Sequence, residues 1–282
     1  MLGPGLLLFL MFVALPVIAV VALSFCSWSL SGWPRFVGLD NYARMLSDPL
    51  AATAVNNTFL FVFLGVIPTV VLGLVLALFL NVRTRGIAAL RTLYLLPAVV
   101  SFVASAIIWR WIYHPTSGLL NHFLSWVGVD GRSWLSDPAT ALPALVVIGI
   151  WLNLPVSILV FLAALQRIPS FILEAAELDG AGAYRRLVHI VWPAVMPMSF
   201  VVALVAFVSF ANGSFDLVNL MTLGGPAEST TTIVYYMYVT AFNYLDFGYS
   251  SALGVLQLLI IFLALALLEG VRRVASERGR RS

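Results

Sequence analysis

Apolar residues in this chain gather into six long runs, at roughly residues 3–27, 57–80, 92–113, 142–165, 194–216 and 250–270. Each is long enough to cross a bilayer as a helix, which takes about 20 residues. The pattern predicts an all-α polytopic membrane protein with about six transmembrane helices, built as a single domain over residues 1–282. The first run is longer than the apolar region of a signal peptide and has no basic residues before it, so it reads as a span. Asn212, Ser214, Asp216 and Asn219 interrupt the C-terminal end of the fifth run, and residues 217–223 are expected to re-enter the membrane or to cap the bundle.

The segment 166–193, between the fourth and fifth runs, breaks the pattern most sharply. Glu174, Glu177, Asp179, Arg185 and Arg186 stand there among Ala and Gly. Five ionised side chains at mid-membrane would cost on the order of 10 kcal/mol or more. The segment therefore lies in water or against another protein. Ser170 reads as the N-cap of a short helix through Leu178, ended at Asp179-Gly180 where glycine tolerates a left-handed cap. Leu173, Ala176 and Ala183 are candidates for contact, and Glu174 and Asp179 for pairing. The residues alone leave two readings open: a docking surface, or an amphipathic helix or turn at the membrane surface.

Arginine placement orients the spans. The segments on one side carry Arg83, Arg85, Arg91, Arg167, Arg185, Arg186, Arg272, Arg273, Arg278, Arg280 and Arg281, 11 in all, against 4 on the other: Arg35, Arg44, Arg110 and Arg132. The positive-inside rule puts the first set, both termini and the charged segment in the cytoplasm. Residues 28–56 and 114–141 become outer loops with interfacial aromatics such as Trp28, Trp33, Trp126 and Trp134. Arg110, at the outer end of the third span, is expected to snorkel.

Composition narrows the function. The chain is 62% hydrophobic and 10% charged with a mean hydropathy of +1.03, far from a soluble domain. Cys26 is its one cysteine, which excludes an internal disulfide and a thiolate metal cluster. His114, His122 and His189 lack ligand spacing. All 15 basic residues are arginine, and without lysine there is no phosphate-binding Gly-Lys-Ser/Thr loop, so the chain is not expected to hydrolyse ATP.

Polar groups within spans mark a candidate pathway. Trp151 and Asn153, beside Pro155, put an amide and a proline break near the middle of the fourth span; Asn212, Ser214 and Asp216 do the same in the outer half of the fifth. Such groups are costly in lipid and face a cavity or a partner helix. Asn153, Asn212 and Trp151 would supply hydrogen bonds and a stacking face to a polar solute, while interhelical bonding is the alternative for any one of them. Asp216 is also placed as an interfacial residue where the fifth span ends. An ion-coupled secondary transporter would need a coupling-ion site, for which Asp216 is the one intramembrane carboxylate. A membrane enzyme would need a catalytic constellation, and none is present.

Glu174-Ala175-Ala176, three residues, Gly180, nine residues and Ile190-x-x-Pro193 closely resemble the cytoplasmic Glu-Ala-Ala loop of permease subunits in binding-protein-dependent ATP-binding cassette importers. Trp192 stands where the family usually has Leu. Glu174 to Ala181 is similar to the carbohydrate branch, the maltose, glycerol-3-phosphate and related sugar permeases. So are Gly38-Leu39-Asp40-Asn41-Tyr42, Asn57-Thr58, Arg91 to Pro97, Thr222 to Pro226 and Gly248 to Ala252. The resemblance implies a type I importer permease fold whose loop couples it to an ATPase through Glu174, Ala175, Ala176, Asp179 and Gly180. It implies a second permease in a heterodimer, two ATPase subunits that bind ATP and Mg, an extracytoplasmic substrate-binding protein, and a bacterial plasma-membrane location. No cofactor on this chain and no nucleic acid are implied. The implied cargo is a sugar or sugar-like solute, with glycerol phosphate, glycerophosphodiesters or amino sugars as alternatives.

Overall fold

The computed structural model describes residues 3–30, 32–82 and 86–281, with side chains up to residue 270 and that of Arg273. Arg83, Arg85 and the side chains of Arg272, Arg278, Arg280 and Arg281, which enter the orientation argument, lie outside the described residues. Among the described residues the protein is mostly helical, and its one strand pairing is a two-residue antiparallel match of β1 (Cys26–Ser27) with β2 (Arg35–Phe36). Five helices are long and apolar enough to cross a membrane: α1 (Gly3–Ser24), α3 (Pro49–Leu80), α7 (Pro138–Leu165), α9 (Ala183–Met221) and the Phe247–Gly270 part of α11 (Phe247–Arg281). Two shorter apolar helices, α4 (Ile87–Ala98) and α5 (Phe102–Ile112), pass the same test only as a pair, a broken span or a re-entrant loop, and meet at 104°. Short helices α2 (Asp40–Ser47), α6 (Leu119–Trp126), α8 (Ser170–Leu178) and α10 (Ile233–Tyr238) fill the connections.

Five of the six expected spans are single-helix candidates and the third coincides with the bent pair; four details differ from the expectation. The third span is not straight, because Pro97 has no N–H to continue the ladder and Ser101 restarts it by accepting from the Ala104 N–H. The fourth span carries no proline break: α7 runs through Pro155. Near it Asn153 Nδ2 donates to Gly149 O at 2.8 Å and Ser157 Oγ to Asn153 O at 3.2 Å, while Trp151 O loses the partner that the missing Pro155 N–H would have been. α9 continues to Met221, so Asp216 and residues 217–221 lie inside a helix that runs beyond the expected end of the fifth apolar run. Arg110 does not simply snorkel; it donates to Leu220 O near the C-terminus of α9, where a cation suits the unpaired carbonyls.

Helices α3, α7 and α9 form the centre, α3 and α7 sharing the most extensive interface. The buried face of α3 reads Ala51, Ala54, Thr58, Phe61, Gly65, Thr69, Gly73, Ala77 and Leu80, a stripe of mostly small residues. In lipid, helix association gains little from the hydrophobic effect, and small side chains let backbones approach. At Gly73 an added Cβ would stand 2.7 Å from Ser157 Cβ. α1 lies against α11 with its apolar faces otherwise exposed.

At one end, polar bonds hold the long helices to the connections. Asn57 Nδ2 donates to the carbonyls of Glu228 (3.1 Å) and Thr231 (3.0 Å), and Thr58 Oγ1 accepts from Ile233 N–H. Asp48 caps α3 through Leu50 N–H and accepts from Tyr236 and Tyr249 hydroxyls, each at 2.6 Å. Burial opposes its charge, but these donors outweigh it and hold the carboxyl below its ordinary value of 3.8. A depressed folded pKa contributes stability above the unfolded value and loses it as pH falls through the folded one. Asp48→Asn is therefore expected to cost about 1 kcal/mol at neutral pH, exposure discounted. The gap from the native chain should narrow below pH 3.8; melting curves in detergent across pH check this.

Candidate translocation cavity and coupling segment

A cavity of about 290 Å³ lies where the α4–α5 bend meets the middle of α3, α7 and α9. The bend supplies Pro97, Ala98, Val100 and Phe102, α3 supplies Phe61, and α7 supplies Gly149, Leu152, Asn153 and Val156. From α9 come Val205, Ser209, Phe210, Gly213 and Leu217, mostly one helical turn apart. One flank is open, where Val156 and Val205 are 45% and 44% exposed. No ionisable side chain lines it. Its polar groups are neutral: the Ser209 hydroxyl and the Asn153 amide, whose bond to Gly149 O leaves Oδ1 and one N–H for a ligand.

The expected pathway residues separate in space. Asn153 lines the cavity. Trp151 points elsewhere, its ring edge-on to Trp109 at 5.8 Å. On α9, Asn212 is exposed, Ser214 is buried with Oγ 3.4 Å from Ala211 O, and Asp216 is half-buried. None of these four lines the cavity. On α9 the cavity takes the row Ser209, Gly213 and Leu217, four apart, with Phe210 beside it, and Asn212, Ser214 and Asp216 fall outside that set. Gly213, beside Asn212 and Ser214 in the polar cluster of the fifth span, lines the cavity, as do Phe61, Phe210 and Gly149, which carry no polar signal. Glycine recurring at mid-helix positions was the signal that could have found them.

The charged segment forms a compact unit. α8 opens at Ser170, so the cap position falls to Pro169 in extended conformation with no side-chain cap bond, one residue before the expected N-cap. It ends as expected. Gly180 has φ +77°, its N–H bonds Glu177 O at 3.0 Å, and Ala181 N–H reaches back to Ala176 O at 2.9 Å, the paired bonds of a left-handed glycine cap. Glu174, Ala175 and Asp179 are exposed, Ala176 is half-buried, and Phe171, Leu178 and Tyr184 are 68%, 89% and 79% exposed. The ion pair here joins Glu177 to Arg186 at 2.6 Å, tying α8 to the start of α9. That start contains a wide turn at Leu187–Val191, just ahead of Pro193, whose missing N–H leaves His189 O without its usual partner.

Long apolar helices around a half-open cavity beside a broken span, joined by one solvated and partly apolar helix, define a transport permease. The chain belongs to the family of binding-protein-dependent transport system inner membrane components, matched over residues 58–276. It is 34% identical over 271 residues to a probable ABC transporter permease of Bacillus subtilis, covering 93% of this chain and 91% of that one. Identity is 36% over 259 residues to the sulfoquinovosyl glycerol transport system permease of Agrobacterium fabrum, covering 91% and 84%. It is 37% over 229 residues to the trehalose/maltose transport system permease of Thermococcus litoralis, covering 80% and 76%. In fold it resembles a chain of the bacterial alginate ABC transporter crystallised with an alginate pentasaccharide-bound periplasmic protein, with a TM-score of 0.85, 23% identity and coverage of 97% and 93%. The chain is thus a multi-pass permease of the ABC import class.

Proposed function

We propose that this chain is one of two permease subunits of an ATP-driven importer for an uncharged sugar or sugar-like solute. The observation that carries the reading is the α8 unit: a short exposed helix, fixed by a glycine cap and an ion pair, with Phe171 and Leu178 uncovered between two spans. A solvated helix of this kind, rigid and apolar-tipped, suits docking to an ATPase subunit. Two ATPase subunits bind and hydrolyse ATP with Mg on the cytoplasmic side, where both termini of this chain lie. A second permease closes the open flank of the cavity at Val156 and Val205, and an extracytoplasmic binding protein delivers the cargo. This chain carries no bond chemistry.

The cavity supports the cargo class. Phe61, Phe102 and Phe210 offer apolar ring faces, and Asn153 and Ser209 offer neutral hydrogen-bonding groups, the combination that a polyhydroxylated, uncharged solute requires. An anion such as the glycerol phosphate of the sn-glycerol-3-phosphate permeases in Pectobacterium atrosepticum and Yersinia enterocolitica would have to draw its cations from the second subunit.

The test is purification of the tagged chain in mild detergent from the membranes of its own host, with copurifying proteins identified by mass spectrometry. An ATP-binding cassette ATPase and a second, different permease are expected. A stable assembly containing neither, or the chain transporting solute alone under an ion gradient, overturns the proposal.

A further inference from the structure

Phe210 holds an unusual position in the cavity wall. Its ring is only 1% exposed and sits in a notch cut by glycines on two different helices. A Cβ added to Gly65 of α3 would coincide with the ring, and one added to Gly149 of α7 would stand 2.6 Å from its Cε1. Phe61 closes the third side edge-on, with centroids 5.3 Å apart. The same ring lines the cavity together with Asn153, Ser209 and Gly213. One removable side chain thus fills a notch that only the absence of two Cβ atoms creates.

We propose that Phe210 sets the depth of the cavity and so the upper size of the solute it admits, with Gly65 and Gly149 providing its seat. This rests on the reading of the cavity as part of the transport pathway. A side chain that merely packed the core would affect stability alone. One that sets a wall position must change discrimination by size, since each methylene of room in an apolar pocket is worth about tenfold or more.

The experiment uses the assembled importer in proteoliposomes with Cys26, the single native cysteine, replaced by serine and Asn153→Cys introduced. Reaction rates are measured with two water-soluble methanethiosulfonates, a small aminoethyl reagent and a bulky biotinylated one, so the readout needs no knowledge of the cargo. The small reagent is expected to react readily and the bulky one slowly. Adding Phe210→Ala should raise the bulky-to-small rate ratio about tenfold, and Phe210→Leu by less. Refilling the notch from the opposite helix, with Gly149→Val on the Phe210→Ala background, should return the ratio toward its starting value. If Phe210→Ala does not assemble, the leucine variant carries the test. A ratio unchanged by both replacements overturns the role of Phe210 while leaving the pathway reading intact. Failure of Asn153→Cys to react with either reagent overturns the pathway reading itself, and the inference falls with it.

Discussion

Gly180→Trp is expected to abolish ATP-driven uptake while leaving the chain folded and inserted. The two halves of that outcome have separate causes. Gly180 occupies φ +77° with open space where a Cβ would go, so a side chain meets no neighbour and costs about 1–2 kcal/mol of left-handed backbone strain. That is small beside the roughly 5–15 kcal/mol of a stable fold. The same open space is what a docking partner would occupy, and an indole there holds the surfaces apart. Uptake by the reconstituted importer should fall more than about tenfold, the loss expected for a misplaced contact in a positioned assembly. The melting temperature should barely move. Gly180→Asn separates strain from bulk, because Asn tolerates the left-handed cap; it should retain most uptake. Glu174→Lys, on the exposed face of α8, should mimic the tryptophan through charge rather than size. Normal transport by both Gly180→Trp and Glu174→Lys would remove α8 from the coupling path.

How far the molecule was legible in advance depended on which property each feature sums. Hydropathy accumulates over some twenty residues, so the spans stood out despite local noise. The end of α8 was legible for a different reason: Asp179-Gly180 is a two-residue stop signal whose backbone conformation few other residues adopt. The bend at Pro97–Ser101 was not legible, since composition stays apolar through it and apolarity carries no direction. Pro155 gave the opposite error. α7 runs on through it although its missing N–H leaves Trp151 O without the usual helical partner, because a helix packed along its length between α3 and α9 tolerates one missing bond. The pathway residues were chosen for polarity without regard to helical face. Only Asn153 of the five lines the cavity, and its actual neighbours on α9 are Ser209, Gly213 and Leu217. Phe61 and Phe210 carry no mark in the sequence that sets them apart in a chain that is 13% aromatic.

Two glycines facing the same region should respond to leucine in opposite ways. At Gly65 the first added carbon already coincides with the Phe210 ring, and that ring is closed in by Gly149 and Phe61. Gly65→Leu must therefore push α3 away from α9 or expel the ring into the cavity, and overpacking in a closed site costs about 3 kcal/mol or more. Loss of the folded monodisperse protein is expected, seen as aggregation on size-exclusion chromatography. At Gly213 nothing lies within 4 Å of an added Cβ, yet the residue lines the cavity. Gly213→Leu should fold at least as well as the native chain, since leucine is favoured over glycine in a helix interior by somewhat under 1 kcal/mol. It should nonetheless block uptake, because a side chain of that size occupies much of the passage. A folded, stable and transport-dead Gly213→Leu beside an unfolded Gly65→Leu would distinguish a cavity that conducts from one that is a packing gap. Full transport by Gly213→Leu would mean that solute passes elsewhere.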